Sequence, residues 1–136
     1  MGTWAVDAFG NDFALDWAED LQELKNMDAV EDTLNNALDH TDAVLEAPFA
    51  AEALVAIEVI ARLQGHWGER TEESAAVDAW VAQRPQKARP DLAEKAHRVI
   101  ERVLSEQSEL RELWADSEHY DDWRASVAEL KTRVSV

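Results

Sequence analysis

The stretch PFAAEALVAIEVIARLQ, residues 48–64, decides the fold. Apolar side chains surround it almost completely, and only Glu52, Glu58 and Arg62 break the pattern. A helix that is apolar all round has no face to offer water, so it belongs at the centre of other elements. Pro48 suits its first turn, where the N–H that proline lacks would have no helical partner. Gly65 follows the last periodic residue and can close the helix in a left-handed conformation. No apolar run in the chain approaches the ~18 residues of a membrane span. The segment therefore predicts a buried central helix inside a bundle.

Outward from it, helical spacing recurs and strand alternation is absent. Towards the N-terminus, a helix is expected from about Asp12 to Lys25, capped by Asn11 or Asp12. Phe13, Trp17, Leu21 and Leu24 form its apolar stripe. Asp12, Asp16, Glu19, Asp20 and Glu23 gather within about 100° on another face. A second helix is expected to start at Asp28, with Glu31 three residues later in capping-box geometry. Val30, Leu34, Ala37, Leu38, Thr41 and Leu45 would face inward, and Asp28, Glu31, Asp32, Asp39, Asp42 and Glu46 outward.

Beyond the central helix, GHWGERTEE (residues 65–73) reads as a loop. A short helix follows from about Ser74 to Gln83, with Val77, Trp80 and Val81 inward. QRPQKARP (residues 83–90) holds two Pro and three bases and separates helices. It is no domain boundary, because neither flank is long enough for a core of its own. Asp91 is expected to cap a helix carrying Leu92, Ala96, Val99, Ile100 and Val103, and Ser108 to cap one anchored by Leu110, Leu113 and Trp114. Tyr120, Trp123, Val127, Leu130 and Val134 form the seam of the last helix. The expectation is an all-α, compact, single-domain bundle of six or seven helices over residues 1–136. In TWAVDAFGNDFALDW (residues 3–17), Trp4 and Phe9 precede the first helix and are expected to fold back onto one end of the bundle.

GTW at the start, FGNDFALDW after it, and the late SELRELWADS and DWRASVAEL together resemble the bacterial family known as domain of unknown function 4259. Members are expected to carry Gly after the first Trp, where this chain has Ala5. The resemblance implies a small helical domain. It supplies no activity and no site residues.

Charge separates the function classes. The chain has 29 Asp and Glu against 13 Lys and Arg, a net −16. Residues 1–61 hold 14 acids and one base, Lys25, for −13, and the remaining 75 residues carry only −3. Nucleic acid and anionic membranes need a cationic face and are poor partners. There is no Cys, which excludes disulfides, thiol nucleophiles and thiolate metal sites, and suits a cytoplasmic chain. The N-terminus shows neither a basic-then-apolar leader nor, with Val6 in the Ser/Thr position, a myristoylation pattern.

Catalytic constellations are missing. No Ser lies in a nucleophile elbow, and the four Gly are too scattered to cradle a phosphate. Glu94-x-x-His97 has di-iron spacing, with Asp116-x-x-His119 as the nearest second copy, but Glu94 falls almost opposite the apolar face of its helix. Asp39-His40-Asp42 reads as a solvated acidic face. His66 and Trp67 share a loop without a positioned nucleophile, so Trp67 is expected to pack down and His66 to be exposed. No catalytic residue, cofactor site or metal site is assigned.

The acidic stripes remain. Their like-charge i, i+4 neighbours each oppose folding by roughly 0.2–0.5 kcal/mol at low salt. One reading is a non-enzymatic interaction module, immunity- or antitoxin-like, whose acidic face (Asp12, Asp16, Glu19, Asp20, Glu23, Asp32, Asp39, Asp42 and Glu46) meets a basic protein. The other is a stand-alone helical domain whose acidity serves solubility or salt tolerance.

Overall fold

The computed structural model describes residues 12–24, 27–38, 44–68, 74–83 and 90–135. They form seven helices: α1 (Asp12–Leu24), α2 (Met27–Leu38), α3 (Ala47–Leu63), α4 (Ala75–Gln83), α5 (Pro90–Val103), α6 (Glu109–Ala115) and α7 (Tyr120–Arg133). The central helix is α3, which packs against each of the other six. Every residue from Ala53 to Arg62 is buried. Its alanines let neighbouring backbones close in, while Val55, Ile57, Val59 and Ile60 fill the space between them.

Both ends of α3 are closed by identifiable groups. At the C-terminus Gly65 takes φ +85°, the His66 N–H reaches the Ala61 carbonyl and the Gly65 N–H reaches that of Arg62. That is the Schellman closure, and it requires the left-handed residue that Gly supplies. At the N-terminus Glu46 is extended and makes no side-chain cap. Glu109, at the start of α6, instead accepts the Ala47 N–H at 2.8 Å. A carboxylate suits that position because it meets the positive end of the helix.

The second helix does not reach Leu45, to which its spacing predicts it to run. α2 is described over Met27–Leu38, and near its last residues Arg102 of α5 donates to the Ala37 carbonyl at 2.9 Å. Leu45 is buried as expected, but in an extended segment. Its N–H donates to Gln107 and its carbonyl accepts from Glu109, forming an isolated parallel bridge with Ser108. Glu46 therefore begins α3 rather than ending α2. Apolar periodicity ran across this break because Leu45 is inward in either conformation.

In α1 the buried face is Ala14, Trp17 and Ala18, while Phe13 is 47% exposed. The stripe is thus turned away from the one Phe13 would define. The Trp17 indole N–H donates to Thr33 Oγ1 at 2.7 Å, tying α1 to α2. Val77, Trp80 and Val81 of α4 are buried, as are all five expected residues of α5. Pro90 opens α5, which places Asp91 in the first turn instead of at the cap. Ser108 caps α6 through the Arg111 N–H, and Leu110 is buried, but Leu113 is 56% exposed. Trp123, Val127, Leu130 and Val134 are buried along the last seam, with Trp114 and Tyr120 stacked on Trp123. Among the described residues no helix is long and apolar enough to cross a membrane. Trp4 and Phe9 lie outside the described residues.

Candidate functional site

The acidic residues follow from the way α1 and α2 dock. With Ala14, Trp17 and Ala18 inward, the 100° step between residues puts Asp16, Glu19 and Asp20 on the far side, and all three are exposed. In α2, Val30, Thr33, Leu34 and Ala37 are buried, and the same step leaves Asp28 and Asp32 exposed. Glu46 is exposed at the entrance to α3. Among the described residues none of Asp16, Glu19, Asp20, Asp28, Asp32 and Glu46 forms an ion pair. Asp12 and Glu23 lie on α1, but their side chains, like Asp39 and Asp42 altogether, lie outside the described residues.

Glu31 leaves this set. Lys95 of α5 approaches its carboxylate at 3.3 Å and donates to Asn35 at 3.0 Å, fastening α2 to α5. Glu52 extends the acidic field onto α3. Partial burial, reinforced by the charge of Asp20, pushes its carboxyl above the ordinary value of 4.5.

A second polar cluster lies inside the bundle, and sequence reading passed over it. Glu58 and Arg62 are buried one turn apart on α3 and paired with each other. Arg133 of α7 reaches the same Glu58 carboxylate and also holds Glu129. Burial works to lower the Arg133 pKa, but hydrogen bonds to Glu58 and Glu129 outweigh it and carry the group above its ordinary value. Arg62 Nε donates to Asp78 at 2.7 Å, Ser74 donates to the other oxygen of Asp78, and the guanidinium lies over Trp67. One carboxylate is thus shared by two guanidinium groups, one from α3 and one from α7. The i, i+4 order of Glu58 and Arg62 was the available signal. Nothing local announces that both are buried.

Trp67 and Gly68, just after α3, lie against this cluster. Trp67 is half-buried and His66 exposed, as expected, and His66 Nδ1 lies 2.6 Å from the Arg133 carbonyl. The helical metal pattern separates: Glu94 is exposed, and His97 Nε2 stands 2.7 Å from the Val134 carbonyl. Asp116 and His119 are both exposed near a turn. Among the described residues no three His, Cys, Asp or Glu side chains are grouped to hold a metal ion. Asp39, His40 and Asp42 lie outside them.

Six helices around a buried seventh, with carboxylates outward on the first two, define an acidic all-α bundle. The chain matches the family described as Domain of unknown function (DUF4259) over residues 2–126, and it belongs to that family. No curated protein and no solved structure matches it.

Proposed function

We propose that this protein is a non-enzymatic interaction module that presents the carboxylates of α1 and α2 to a cationic protein, in the manner of an immunity protein or antitoxin. The observation that carries this reading is the exposure of Asp16, Glu19, Asp20, Asp32 and Glu46 without ion pairing among the described residues. Charge of one sign on adjoining helices steers an oppositely charged partner and raises its association rate. A chain using acidity only for solubility has no need to place −13 in residues 1–61 and −3 in the rest.

The test compares two variants of equal net charge. One carries Asp16→Asn, Asp20→Asn, Asp32→Asn and Asp39→Asn; the other carries Glu94→Gln, Glu112→Gln, Glu118→Gln and Asp121→Asn. Each is immobilised at low salt and challenged with lysate from cells of the source organism. Basic proteins should be retained by the unaltered protein and by the second variant, lost from the first, and released by salt. Equal loss from both variants would assign the acidity to solubility, as would retention of no basic protein at all.

A further inference from the structure

Where the end of α2, the extended segment 44–46, the first turn of α3 and α5 meet, they enclose an open hollow of about 220 Å³. Its apolar wall comes from Ala37, Val44, Leu45 and Phe49, and Arg102 and Glu46 supply the charge. Val44 is 53% and Phe49 38% exposed, so two large apolar side chains stand at its mouth facing water. The volume is below the ~300–1,000 Å³ of pockets that enclose small-molecule ligands. It is on the scale of a single inserted side chain, which is how anchor residues fill a partner's surface.

The lining chooses the occupant. Ala37, Val44, Leu45 and Phe49 offer an entering side chain apolar contact, and Arg102 is held in the wall by its bond to the Ala37 carbonyl. An aromatic ring brings the largest apolar area a single side chain can bury against such walls. The rim is acidic: Glu46 is exposed there, and the Glu109 carboxylate sits on the neighbouring Ala47 N–H. We infer that the hollow takes an aromatic side chain from a cationic partner segment, whose adjacent Lys or Arg pairs with Glu46. This rests on the acidic-face reading and gives it a specific anchor.

Isotope-labelled full-length protein would be titrated by NMR with three blocked peptides, acetyl-Lys-Phe-Lys-amide, acetyl-Lys-Ala-Lys-amide and acetyl-Glu-Phe-Glu-amide. The Lys-Phe-Lys peptide should shift the amides of Ala37, Leu45, Glu46 and Phe49 saturably, and bind about tenfold more tightly than Lys-Ala-Lys. Glu46→Gln should weaken it severalfold, and the same spectra report whether that variant is folded. Equal affinity of the Phe and Ala peptides would overturn the inference. So would shifts confined to Asp16, Glu19 and Asp32, an outcome that leaves the acidic-face reading standing. If Glu-Phe-Glu binds the hollow as well as Lys-Phe-Lys does, the cationic partner is wrong. If neither Lys peptide shifts any amide, both readings fall.

Discussion

Glu58 shows how a single residue can join two helices. It is 5% exposed on α3 and shared by Arg62, on the same helix, and Arg133 of α7. Gly68 makes room for this arrangement, since a Cβ placed there would stand 2.6 Å from Arg133 Nη1. To yield, the guanidinium must shift against its bonds to Glu58 and Glu129. Gly68→Ala should therefore destabilise the protein by up to ~1.5–3 kcal/mol in urea unfolding, the range for a hydrogen bond to a charged group. Combined with Arg133→Ala it should cost little more than Arg133→Ala alone, and simple additivity of the two would refute this account. Glu52 carries a different prediction. Its folded pKa lies above the ordinary 4.5, chiefly through burial and then through Asp20. Below the ordinary value the carboxyl is protonated whether folded or not, and no penalty arises. As pH rises through the higher folded value, the folded state must ionise a group it disfavours, and stability falls. Glu52→Gln should be the more stable protein at neutral pH, with the advantage gone near pH ~4, as followed by urea unfolding at the two pH values.

Among the elements, α1 bears the strongest internal repulsion. Asp16 has Asp12 and Asp20 one turn away on either side. Asp16→Asn removes two like-charge neighbours and should stabilise by ~0.4–1 kcal/mol at low ionic strength. Thermal unfolding should show the gain shrinking towards zero at ~1 M NaCl, where the screening length is about 3 Å. The Asp42/Glu46 spacing does not act as an i, i+4 helix pair, because Leu45 is extended and Glu46 is the N-cap of α3. Helix starts, stops and inward faces were well legible where one signal dominated: Gly65 after α3, Ser108 before α6, and the α5 seam from Leu92 to Val103. They were misread where an aromatic or aliphatic residue fitted the period but not the final rotation, as at Phe13 and Leu113.

For the molecule as a whole, the contact of α3 with all six other helices joins their apolar faces into one core cluster. Loss of any helix exposes part of α3, so unfolding should be cooperative. Tryptophan fluorescence and far-ultraviolet circular dichroism should trace a single superimposable urea transition, and two separated transitions would show that the cluster divides. The sequence by itself determined the helical class, the central place of residues 48–64 and the outward set of Asp16, Glu19, Asp20 and Asp32. Those properties follow from the order of apolar and charged residues along a 3.6-residue period, which is local information. Tertiary structure alone decided that Glu109 would cap α3, that Leu45 would bridge to Ser108, that Glu58 would meet Arg133, and that a hollow would open beside Glu46. Each of these joins positions whose sequence separation exceeds 50 residues, and helical periodicity carries no information over that distance.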